Sequence, residues 1–191
     1  MNFINSVKGK IFIGFIIALA IFFSVDGGVN MTGYGVTAFL HVLSGVVWIG
    51  LLYYFNFVQV PAMGEALADT DGPGPAAIGK YIAPRALLWF RMSAASTLVI
   101  GLVLLALEGR GFSGIVDAFT LTDTVIGIGA WMGVIMVFNV WFIIWPSQKK
   151  ILGMKEASAD EIATAKKRAA LASSINVILS IPLLLTMIAW H

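Results

Sequence analysis

The chain has two histidines in 191 residues, His41 and His191. His41 stands inside an apolar run, His41-Val-Leu-Ser-Gly-Val-Val-Trp-Ile-Gly50. An ionisable group at membrane depth is costly and marks a functional site by default. Imidazole is also the commonest protein metal ligand and a usual axial ligand to haem iron. On a helix, positions 41, 44, 45 and 48 share a face. Ser44, Gly45 and Trp48 therefore flank the ring. Gly45 leaves space for a flat group or a close helix, and Trp48 supplies an aromatic wall. Two readings of His41 stand at this point. It is a metal ligand, holding a b-type haem as axial ligand, or it is a helix-packing residue hydrogen-bonded to a neighbouring helix or a headgroup. His191 is one source of a second ligand. The thioethers of Met132, Met136 and Met187 are others, although methionine in apolar helices is usually packing. A five-coordinate site needs none of them.

A second group of polar residues falls in the opposite half of the apolar segments. Asn56, Arg91, Asn139 and Asn176, with Gln59 one turn from Asn56, would form a polar pocket for an anion, a quinone headgroup or a cofactor carboxylate. The alternative is structural: amides join helices across membrane interfaces, and arginine snorkels to the surface. With no cysteine in the chain, disulfides, thiolate zinc sites, iron–sulfur clusters and covalent c-type haem attachment are excluded. P-loop, dinucleotide and zinc-protease signatures are absent, as is a nucleic-acid-binding patch.

These residues must be positioned by membrane helices. The chain is 59% hydrophobic and only 12% charged, against about 25% charged in soluble domains. Five apolar stretches, at roughly 9–25, 36–60, 86–107, 123–145 and 168–190, approach the length needed to cross about 30 Å of hydrocarbon. The expected fold is an all-α integral membrane protein, a single domain over residues 1–191. It comprises an N-terminal helix and loop (1–35), a first hairpin (36–107) and a second hairpin (123–191). The first stretch, preceded by Lys8 and Lys10, also has the form of a signal peptide, but Ser24-Val-Asp-Gly-Gly is a poor cleavage site, so it is read as a retained helix. Pro182 is the only proline expected inside a span.

The two hairpins read as copies. A constant offset of 83 residues (131 − 48) takes Trp48-Ile-Gly50 to Trp131-Met-Gly133, Phe55-Asn56 to Phe138-Asn139, and Arg85-Ala86 to Arg168-Ala169. Together they would form a four-helix bundle. His41 has no counterpart, because the offset leads to Thr124. Lys and Arg cluster before span 1, between spans 2 and 3, and between spans 4 and 5. The opposite side carries Arg110 with Asp26, Glu108, Asp117 and Asp123. The positive-inside rule then puts the N-terminus in the cytoplasm and the C-terminus in the periplasm of a bacterial inner membrane. His41 falls roughly 8 Å inside the external end of its helix, at 1.5 Å per residue. The acidic external rim could dock a basic cytochrome, or simply be solvated. Trp145 and Trp190 read as interface anchors. Ser158-Ala-Asp-Glu161 is a capping-box pattern expected to start a charged helix running through Lys166, Lys167 and Arg168 into span 5. This basic stretch suits anionic headgroups of the lipid bilayer.

The run Phe39-Leu-His41-Val-Leu-Ser-Gly45-Val-Val-Trp48-Ile-Gly50-Leu-Leu-Tyr-Tyr54-Phe55 resembles the membrane domain at the N-terminus of the bacterial cytochrome-c-fused urate oxidase (urate hydroxylase) family. That family has a His-x-x-x-Gly-x-x-Trp-Ile-Gly helix followed by aromatic residues. A fainter likeness extends to the haem-binding protoporphyrinogen oxidase family and to copper-resistance membrane proteins. The urate-family resemblance implies an oxidoreductase with redox chemistry near the external face and electrons passed to a c-type cytochrome. His41, Gly45, Trp48 and Gly50 are the positions that carry over. The chain departs from the family in having fewer helices and no fused cytochrome, which implies a stand-alone relative or a subunit using a separate cytochrome. The leading expectation is a membrane redox protein that holds haem b on His41 and exchanges electrons with a periplasmic cytochrome or a larger respiratory complex. The alternatives are a non-catalytic accessory or assembly subunit and a small-molecule transporter using the Arg91 region.

Overall fold

A computed structural model describes residues 6–24, 33–108 and 111–189. Two compact units divide the chain, Met1–Val36 and Thr37–His191. In the first, helix α1 (Val7–Ser24) coincides with the first predicted span. The Ser6 hydroxyl accepts the Gly9 amide at 3.0 Å, an N-cap that satisfies one of the free amides of the first turn.

Among the described residues, four helices are long and apolar enough to cross a membrane: α2 (Gly33–Ala68), α3 (Ile78–Leu107), α5 (Thr124–Ile151) and α6 (Ala159–Ala189). Between α3 and α5 lies a short helix, α4 (Phe112–Phe119), which sequence periodicity did not reveal. All are helical because each backbone amide in lipid must be satisfied within its own segment.

The predicted span ends are corrected at three prolines. Pro61, Pro84 and Pro146 lie inside continuous helices rather than at or beyond their ends. Each follows a π turn: Phe55–Gln59, Ile78–Ile82 and Asn139–Ile144. Proline lacks an amide proton, and its ring clashes with the carbonyl four residues earlier. In each case the residue just before the proline donates its amide to the carbonyl five residues back: Val60 to Phe55, Ala83 to Ile78, Trp145 to Val140. The wider turn lets the helix pass the proline without a break. α2 thereby runs to Ala68 and α5 to Ile151.

The predicted capping box is present. The Ser158 amide donates to Glu161 Oε2 at 3.0 Å, and the Glu161 amide to Ser158 Oγ at 3.3 Å. It opens one uninterrupted helix of 31 residues, α6. The extended run of charged and apolar sequence was therefore one helix, as its capping signature implied.

The core of the second unit draws on four helices: Trp48, Leu52 and Phe55 of α2, Leu87, Phe90 and Ala94 of α3, Met136 and Val140 of α5, and Ala172 and Leu183 of α6. Phe55 and Phe90 meet edge to face with centroids 5.4 Å apart. Glycines set the closest approaches. A Cβ on Gly129 would lie 2.6 Å from Thr186 Oγ1, and one on Gly133 3.6 Å from Leu183 Cδ1. This Gly129-x-x-x-Gly133 pair lets α5 and α6 touch nearly backbone to backbone, the small-residue route to helix association in lipid. Gly127 abuts the Ala118 carbonyl and seats α4 on α5. Large apolar side chains such as Val46, Val99 and Ile178 face outward, as a lipid-facing surface requires.

Candidate functional site

His41 is half-buried on α2, and its face packs on α3. A Cβ added to Gly101 would stand 2.9 Å from His41 Cε1 and 3.3 Å from Nδ1. Only glycine leaves room for the imidazole against the α3 backbone. One turn on, Gly45 meets the Thr97 methyl, with 3.9 Å from the would-be Cβ to Cγ2. Trp48 follows in the core, 2% exposed. The predicted face of His41, Gly45 and Trp48 thus turns toward α3, with Gly45 in ordinary contact range of the Thr97 methyl.

This face is short of hydrogen-bond partners. Among the described residues His41 Nδ1 and Trp48 Nε1 are buried and unpartnered. The Thr97 backbone is a hydrogen-bond partner of the imidazole, while the Thr97 hydroxyl donates to the Ser93 carbonyl at 2.8 Å. A buried polar atom left unpaired costs about 1–3 kcal/mol, so an orphaned imidazole nitrogen calls for a partner. No group of three or more His, Cys, Asp or Glu is placed to hold a metal ion among the described residues. Of the other proposed ligands, Met136 is fully buried in the core, and Met187 packs against α5 at Gly129. His191 lies outside the described residues. So do Trp190 and, at the acidic rim, Asp26 and Arg110.

The second polar group is gathered on one face of α6. The Asn139 amide donates to Asn176 Oδ1 at 2.8 Å, and Asn176 Nδ2 donates to the Met136 carbonyl at 3.0 Å. Asn56 Nδ2 donates to the Leu52 carbonyl at 2.7 Å and to Ser173 Oγ at 2.8 Å. The Tyr53 and Ser180 hydroxyls share a 2.8 Å hydrogen bond. Ser173, Asn176 and Ser180 recur at helical spacing, and this stripe ties α6 to both α2 and α5. The sequence reading singled out the asparagines but not Tyr53, Ser173 or Ser180; the three- and four-residue spacing of the polar residues on α6 was the available signal.

Arg91 is engaged elsewhere. Its guanidinium lies 3.7 Å from the centre of the Trp145 ring, and its carbonyl accepts Trp141 Nε1 at 3.2 Å. A cation over an indole face is stabilised by the ring quadrupole, by about 2 kcal/mol or more when desolvated. Trp145, expected to anchor the helix at the interface, also carries this charge. Gln59 Oε1 is buried without a partner among the described residues.

The urate oxidase N-terminal family model matches residues 112–191. The family likeness is real, and it lies in α4, α5 and α6. The match bears out the suspected family, in a region C-terminal to the motif at residues 39–55. The Trp-x-Gly and Phe-Asn pattern of residues 48–56 also occurs at 131–139, inside the matched region. No curated protein and no solved structure matches the chain. The urate oxidase N-terminal likeness thus covers the half that holds Asn139, Asn176 and the α6 polar stripe, while His41 lies outside it.

Proposed function

We propose that this is a membrane redox protein in which His41 is the axial ligand of a b-type haem. The observation that supports the reading is a half-buried imidazole in an apolar helix whose Nδ1 has no partner among the described residues. The urate oxidase N-terminal likeness adds a redox context. Haem would supply a one-electron couple at the α2–α3 seam. The protein's own part is positional. Gly101 and Gly45 let α3 approach the ring, α3 fixes the plane of the imidazole, and Trp48 closes the inner end against lipid and water. His41 would hold the group on its own or with a second side chain; Met136 and Met187 are engaged between α5 and α6.

The wider frame belongs to the same proposal. α1 is a fifth span, and α2–α3 and α5–α6 are duplicated hairpins. The support for duplication is that a π turn begins at or next to Asn56 in one copy and at Asn139 in the other, each ending before a proline. The Lys/Arg distribution puts the N-terminus in the cytoplasm of a bacterial inner membrane and His41 near the external face. There a periplasmic cytochrome or a respiratory complex could exchange electrons with it.

Extraction of the purified protein, expressed with haem available, is expected to release about one b-type haem per chain, as one axial histidine binds one iron. In His41→Ala the released haem should fall to background. Haem retained in full by that variant would refute the assignment. A second reading, a non-catalytic accessory subunit, draws on the α6 stripe, whose amides and hydroxyls are used in bonds between and within helices. It requires stable co-purification with a larger membrane complex, and a protein that purifies alone and coloured contradicts it.

A further inference from the structure

A groove of about 710 Å³ runs between α5 and α6, within the range of roughly 300–1,000 Å³ usual for small-molecule sites. Its inner walls are apolar, with Phe142 from the π turn of α5 and Leu171 and Ile175 from α6. Phe142 and Leu171 are 69% and 65% exposed, so the groove opens along a lipid-facing side. Its mouth is charged, formed by Lys150, Asp160, Glu161 and Arg168. Lys150 is neutralised by Glu161 at 2.9 Å. Arg168 is exposed and has no hydrogen bond or ion pair among the described residues. The surrounding field is positive: residues 149–168 hold six Lys or Arg against three Asp or Glu. The π turn ahead of Pro146 supplies a wall of the groove through Phe142.

We propose that this groove is a discrete site for one anionic phospholipid, its phosphate on Arg168 and one acyl chain along Phe142 and Leu171. The amphipathic gradient from mouth to floor matches that of a lipid. Guanidinium binds phosphate through paired, charge-assisted hydrogen bonds. The four charges of the mouth balance, and it is the excess of Lys and Arg over residues 149–168 that favours an acidic headgroup over a zwitterionic one. The site is independent of His41 and of haem.

The test uses the full chain in mild detergent, with bound lipid counted by native mass spectrometry after addition of phosphatidylglycerol or phosphatidylcholine. One phosphatidylglycerol per chain should be retained, and phosphatidylcholine should not compete. Arg168→Glu should weaken retention by about tenfold or more, the loss of a charge-assisted contact. Lys167→Glu makes the same change of net charge one residue away, outside the groove lining, and should leave retention within about twofold, as expected of an exposed charge. Equal losses in the two variants would reduce the effect to diffuse surface charge and overturn the proposal. Equal retention of phosphatidylcholine would overturn it as well. So would equal binding of glycerol phosphate, which has the headgroup anion without the chain.

Discussion

Gly101→Leu is expected to displace His41 and strip the protein of haem while α5 and α6 stay paired. The Cβ alone would sit 2.9 Å from His41 Cε1 and 3.3 Å from Nδ1, closer than carbon contacts allow. The imidazole cannot slide along its own helix, so either χ1 of His41 changes or α2 and α3 separate. Overpacking of this kind costs about 1–3 kcal/mol, which corresponds to roughly 5–150-fold in apparent haem affinity. Gly101→Ala should give an intermediate loss. Gly50→Ala is the control, since Gly50 is exposed and a Cβ there meets nothing within 4 Å. Haem titration of the three variants measures the order. Haem affinity unchanged in Gly101→Leu would separate the seam from haem binding, and Gly50→Ala losing as much as Gly101→Ala would remove Gly101's special standing.

Asn176→Leu is expected to lower the stability of the bundle more than any other single change in the polar stripe. Asn176 is fully buried and accepts from Asn139 while donating to the Met136 carbonyl. Removing it leaves the Asn139 amide buried in apolar surroundings, at a cost of about 1–3 kcal/mol. The interhelical bonds lost contribute on average about 0.6 kcal/mol each in lipid. The Met136 carbonyl loses little, because it keeps its place in the helix. Leucine in both positions, Asn139→Leu with Asn176→Leu, removes donor and acceptor together and should recover much of the loss. Equilibrium unfolding in detergent mixtures, run as a double-mutant cycle, reads this coupling. Additive losses would mean that the two amides act separately and that the α5–α6 pair is held by its glycines alone.

Much of the architecture is legible before any coordinates are consulted. Apolar run length marks the spans, and the Ser158–Glu161 box marks the start of α6 because the cap is a local, four-residue device. The face of His41, Gly45 and Trp48 follows from helical periodicity alone. The prolines were harder. Pro61 and Pro146 stand where the apolar runs thin, and there a helix end and a π turn leave the same trace in sequence. Gly101 was unreadable for a different reason. A glycine in a membrane helix has no periodic signature, and its role is fixed only by the ring that α2 lays over it. The same holds for Arg91 and Trp145, which lie 54 positions apart in the numbering and meet only because α3 and α5 pack side by side. The asparagines were visible as polar residues in apolar helices, but their mutual pairing through α6 depends on which faces meet.

The measurement that bears most directly on the role of His41 is the optical absorption spectrum of the purified full-length chain, recorded oxidised and then dithionite-reduced, beside His41→Ala. A Soret band that shifts on reduction in the wild type and is absent from the variant is the predicted result. A colourless wild-type protein, prepared with haem available, or a band that survives unchanged in His41→Ala, would contradict it.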